Sequence, residues 1–96
     1  MARKISILIV DDEESVRDSL YNWFIDDGYV VECAENAKKA LSMLEARDFD
    51  IILADIKMPG MDGIELARAI REGGHEVPIL LLSSNSTFAE MEEGRA

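Results

Sequence analysis

The chain has 96 residues, 48% of them hydrophobic, with a net charge of −10 and a single cysteine. Such a composition supports one packed core, so one domain is expected over residues 1–96 and a disordered tail is excluded. The charge argues against binding nucleic acid or an anionic membrane surface, and the lone cysteine excludes an internal disulfide.

Residues 5–10 are a nearly unbroken apolar run rich in β-branched side chains. That pattern belongs to a parallel strand buried on both faces. Asp11-Asp12-Glu13-Glu14 follows at once. The run is too short, and turns acidic too soon, for a signal peptide or membrane span, so a cytoplasmic place is expected. Val16, Leu20, Trp23 and Phe24 share one face of a predicted amphipathic helix, which Gly28 stops.

Residues 29–34 read as a second strand, with Cys33 as a small buried residue rather than a reactive thiol. Ala37, Ala40, Leu41 and Leu44 mark a second helix, capped by Asn36. Residues 51–54 read as a third buried strand with Asp55 at its C-terminal end. Pro59 and Gly60 make 57–61 a loop. Asp62 and Glu65 then form a capping box that opens a third helix carrying Ile64, Ala67 and Ile70.

Gly73-Gly74 ends that helix, and His75 beside it reads as an exposed residue with no chemical role. Residues 77–82 predict a fourth strand running into Ser83. Thr87 and Glu90 would cap a last short helix with Phe88 and Met91 inward. Strands alternating with helices imply a doubly wound parallel α/β sheet. In such sheets ligands bind beyond the carboxyl ends of the strands.

Asp11 and Asp12 follow the first strand, Asp55 ends the third, and Ser83 ends the fourth. Three carboxylates converging there would repel one another, and burial would add to the cost. A hard divalent cation relieves both, and all-oxygen donors select Mg²⁺ rather than zinc. Asp55 would then be a carboxylate nucleophile toward phosphorus, Asp11 and Asp12 the metal holders, and Ser83 a hydroxyl donor to a phosphoryl oxygen. Each residue also has a plainer reading. Asp12 could cap the first helix, Asp55 could begin a turn, and Ser83 could be a loop hydroxyl. Those readings require unrelated turns to deposit matching chemistry at one end of the sheet.

Three stretches carry a family resemblance: Ile-Leu-Ile-Val-Asp-Asp-Glu at 7–13, Ala-Glu-Asn-Ala-Lys-Lys-Ala-Leu at 34–41, and Asp-Ile-Ile-Leu-Ala-Asp-Ile-Lys-Met-Pro-Gly-Met-Asp-Gly at 50–63. With them the chain resembles the receiver domains of bacterial two-component response regulators, over essentially its whole length. The resemblance implies a flavodoxin-like sheet of order 2-1-3-4 and a signalling module rather than a conventional enzyme. It implies that Asp55 is the phosphorylated residue, that Asp11, Asp12, Asp55 and the backbone carbonyl of Lys57 bind Mg²⁺, and that Ser83 contacts the phosphoryl group and switches the domain. The implied phosphodonor is a phosphohistidine on a sensor histidine kinase.

Family members continue into a fifth strand and helix that carry a phosphoryl-contacting Lys, whereas this sequence stops at Ala96. Without that Lys, phosphorylation is expected to be slow. Without that strand, the fourth strand is expected to be an apolar edge that templates a second copy, giving a homodimer or higher assembly by edge pairing or strand exchange. The rival reading is thus a receiver remnant that acts by association. An Asp-nucleophile phosphatase would need a second Asp where Lys57 stands, and a flavin-binding module would need a phosphate loop where Asp11-Asp12-Glu13 stands.

Overall fold

A computed structural model describes residues 4–82 of the chain. In chain order it contains β1 (Ser6–Val10), α1 (Glu14–Asp26), β2 (Val30–Ala34), α2 (Ala37–Ala46), β3 (Ile51–Asp55), α3 (Gly63–Glu72) and β4 (Ile79–Leu82). The four strands form one parallel sheet in the order β2-β1-β3-β4, as expected. The expected helix around Phe88 and Met91, and Ser83 itself, lie outside the described residues.

Burial on two faces explains why β1 and β3 read as continuous apolar runs. Leu8, Val10, Ile52 and Ala54 point to one side, where Ala37, Ala40 and Leu44 of α2 and Leu66 and Ile70 of α3 close over them. Ile7, Ile9, Val31 and Leu53 point to the other, against the half-buried Leu20 and Phe24 of α1. Three layers result, with α2 and α3 on one face and α1 on the other. Burying side chains of this size stabilises by about 1.5–3 kcal/mol each before the entropy cost of ordering them.

The helix ends follow the sequence. Asn36 Oδ1 accepts from the Lys39 N–H at 2.8 Å, and Asp62 and Glu65 form the full reciprocal capping box. Beyond α1, Gly28 takes φ 91°, a left-handed conformation that glycine adopts without a Cβ penalty. At the N-terminal edge of the sheet, Asp50 Oδ2 accepts from Ser6 N at 2.7 Å and Ser6 Oγ at 3.1 Å, while Asp50 N donates to Ser6 Oγ at 3.2 Å. This clamp sets the relative height of β1 and β3, and so of the residues at their far ends.

Several side chains lie elsewhere than expected. Trp23 is 69% exposed: α1 rests chiefly on β1 and β2, and Trp23 falls beyond the edge of that contact. Ile64 is 46% exposed while Gly63, Leu66 and Ile70 are buried. The inward face of α3 therefore keeps Ile70 but runs through Gly63 and Leu66 rather than through Ile64. His75 and Cys33 are both half-buried, and burial pushes the Cys33 thiol further above its usual range, consistent with an unreactive thiol.

Candidate functional site

In-register pairing builds the site. Val10 faces Ala54 across β1 and β3, so the residues that follow them, Asp11 and Asp55, stand side by side at the carboxyl end of the sheet. Asp11, Asp12 and Asp55 each present a carboxylate oxygen within 4.8 Å of the others. Asp11 is 6% and Asp55 2% exposed, while Asp12 is open to solvent. The floor of the site is thus buried and its mouth is wet.

Local hydrogen bonds hold the two buried acids. Asp11 N donates to Ala34 O at 3.2 Å, extending the β1–β2 ladder by one residue. Asp11 Oδ1 accepts from Glu13 N at 2.9 Å, a turn typical of Asp at a strand-to-helix junction. Asp55 Oδ1 accepts from Lys57 N at 3.2 Å, which orients that carboxylate as the chain turns away from the sheet. Ile56 N donates to Leu82 O at 2.7 Å and Gly63 N to Ile56 O at 2.9 Å, tying the end of β3 to β4 and to α3. Lys57 is exposed and Met58 buried, so Met58 anchors the loop beside Asp55.

The electrostatics are unfavourable for three bare acids. Burial lifts the Asp11 carboxyl above its ordinary range, and the charges of Asp55, Asp12 and Glu13 lift it further. The Glu13 N–H acts in the opposite sense. Ionised carboxylates this close favour a bound cation, and hard oxygen donors suit Mg²⁺. The residues present therefore fit the ion that the sequence reading called for.

Among the residues picked from sequence, Asp11, Asp12 and Asp55 come together here, and Lys57 meets Asp55 through its N–H. Two further residues had no signal in apolar periodicity. Gly63 brings the start of α3 against the backbone of Asp55 and Ile56. Arg17 Nη1 reaches back from α1 to donate to Asp11 O at 2.8 Å.

Comparison with known proteins matches the response regulator receiver domain over residues 7–95. The chain is 36% identical over 90 residues to the response regulator MprA of Mycolicibacterium vanbaalenii, an alignment covering 94% of the chain and 39% of MprA. It thus spans about two fifths of the length of the curated relatives it matches. In three dimensions it resembles the chemotaxis protein CheY4 of Vibrio cholerae, with a TM-score of 0.83, 33% identity and coverage of 97% of this chain and 79% of CheY4. It also resembles the response regulator protein TrrA of Thermotoga maritima in complex with Mg²⁺-BeF, at TM-score 0.76, 27% identity and coverage of 95% and 96%. TrrA in complex with the histidine kinase ThkA gives a TM-score of 0.79, 36% identity and coverage of 88% and 72%. A family match across almost the full length, joined to the same sheet order, leads to one conclusion: the chain belongs to the receiver domains of two-component response regulators.

Proposed function

We propose that this receiver takes a phosphoryl group on Asp55 from the phosphohistidine of a sensor histidine kinase. The observation that carries the reading is the meeting of Asp11, Asp12 and Asp55 within 4.8 Å. An Asp55 carboxylate oxygen forms the new P–O bond as the donor's P–N bond breaks, leaving an aspartyl phosphate. The Lys57 N–H holds one oxygen of that carboxylate in place. Asp11, Asp12, Asp55 and the Lys57 carbonyl would hold Mg²⁺, and Ser83 would donate its hydroxyl to a phosphoryl oxygen. When bound, the ion supplies charge neutralisation for the phosphoryl oxygens.

TrrA, solved both with Mg²⁺-BeF and with a histidine kinase, supports the metal and the partner by similarity. The net charge of −10 opposes nucleic-acid binding by this chain. Among the described residues no helix is long and apolar enough to cross a membrane, and a cytoplasmic place belongs to the same proposal. Incubation with acetyl phosphate and Mg²⁺, followed by intact mass, tests the reading. One added phosphoryl group, absent from Asp55→Asn and from EDTA-treated protein, supports it. Equal labelling of Asp55→Asn contradicts it.

A second reading, association through β4, has its own observation. Leu80 is 51% exposed on a strand that lies at the sheet edge among the described residues. Sedimentation of the wild type and Leu80→Lys tests it. A dimer that Leu80→Lys dissolves supports this reading, and a wild-type monomer at high concentration contradicts it.

A further inference from the structure

We infer that Arg17 is a positioning residue for the metal site, acting through the peptide that joins Asp11 to Asp12. The inference rests on the metal reading above and adds a residue to it. Asp12 is the exposed member of the acidic trio. Among the described residues no hydrogen bond holds its carboxylate. The backbone that carries it, including the plane of the peptide before it, therefore fixes where its Cα–Cβ bond starts and which positions its rotamers can reach.

The oxygen of that peptide is Asp11 O, and Arg17 Nη1 donates to it at 2.8 Å. Arg17 is half-buried and rooted in the first turns of α1, where its own N–H donates to Glu13 O at 3.1 Å. Asp11 is fixed on its other sides by Ala34 O and Glu13 N. The peptide leading to Asp12 is thus pinned from α1, across the acidic loop, by a guanidinium group. Arg17 meets the backbone and leaves the carboxylate oxygens of Asp11 to other partners.

Two effects of Arg17 on a bound cation oppose each other. Its charge repels the ion, weakly across the wet mouth of the site. Its hydrogen bond orders Asp12 before the ion arrives, and partners that orient a ligand typically change metal affinity by about 10–100-fold when removed. A single N–H···O bond needs one donor, so lysine can replace arginine here in a way it cannot at a bidentate site.

The test is a Mg²⁺ titration by calorimetry on wild type, Arg17→Met, Arg17→Lys and Asp11→Asn, with a thermal melt of each in EDTA. Arg17→Met keeps most of the aliphatic stem and is expected to weaken Mg²⁺ roughly tenfold. Arg17→Lys is expected to recover most of that loss. Arg17→Met binding Mg²⁺ as wild type does, while Asp11→Asn loses it, overturns the positioning role and leaves the metal reading standing. The same holds if Arg17→Met lowers only the melting temperature, or if it tightens Mg²⁺ through relief of repulsion. If wild type and Asp11→Asn bind Mg²⁺ alike, the metal reading falls and takes this inference with it. Should Arg17→Met not fold, Arg17→Lys against Arg17→Gln carries the same comparison.

Discussion

Gly63, the first residue of α3, lies directly on the backbone of Asp55. A Cβ at Gly63 would overlap the Asp55 carbonyl oxygen and come to 3.0 Å from both the Asp55 carbonyl carbon and Ile56 Cα. These are backbone atoms of a strand end, already fixed by the Ile56 N–H bond to Leu82 O, and cannot swing aside. Gly63→Ala should therefore destabilise the fold by about 1–3 kcal/mol, although alanine is normally the better helix former by about 1 kcal/mol. Urea unfolding measures this, and a Gly63→Ala protein as stable as wild type would show that α3 can back away freely.

Asp11 gives a pH dependence whose sign follows from burial. Its folded carboxyl lies above the ordinary 3.8, through burial first and then through the charges of Asp55, Asp12 and Glu13. The native state therefore holds this proton more tightly than the unfolded chain does. Stability is lost as pH climbs from the ordinary value to the raised one, and stays lower above it. Asp11→Asn should be more stable than wild type by about 1 kcal/mol at neutral pH in EDTA, the scale of one like-charge contact in a partly wet site. The gain should vanish once pH falls below the ordinary carboxylate range. Denaturant unfolding across pH measures both arms.

Mg²⁺ should reverse that order. An ion bound only by the native state stabilises by about 2.7 kcal/mol at a hundredfold excess over Kd. Wild type should gain this, and Asp11→Asn should gain little. Thermal melts with Mg²⁺ and with EDTA are the check, and equal gains would place the ion elsewhere.

The capping box of α3 starts the helix that packs beside Asp55. Asp62 Oδ1 accepts from Glu65 N at 2.8 Å and Glu65 Oε1 accepts from Asp62 N at 3.1 Å. Asp62→Ala should cost about 1 kcal/mol, with hydrogen exchange rising first at the start of α3.

Much of this was legible in the sequence, for physical reasons. The β1 and β3 runs show their two-sided burial as unbroken apolar stretches, and the acids that end them mark the strand ends where ligands bind. Asn36, Asp62 and Glu65 announce helix starts through side chains that can serve backbone N–H groups. The α3 face was less legible. Ile64-Ala67-Ile70 and Gly63-Leu66-Ile70 both fit helical spacing, and the close approach of Gly63 to Asp55 selects the second. A glycine carries no hydrophobic signal, so periodicity could not find it. Trp23 fits the apolar stripe of α1, but whether a stripe is covered along its whole width depends on where the helix sits over the sheet. Arg17 acts on a residue six positions earlier through a backbone oxygen, a relation that exists only once the loop before α1 has folded.

The most direct measurement is a crystal structure of the protein grown with Mg²⁺ and beryllofluoride, a mimic of the phosphoryl group. The expected result is beryllofluoride on an Asp55 carboxylate oxygen, beside an octahedral ion with oxygen ligands at about 2.0–2.1 Å drawn from Asp11, Asp12, Asp55 and the Lys57 carbonyl. An ion bound away from these acids, or beryllofluoride on another residue, would contradict the assignment of Asp55 as phosphoacceptor.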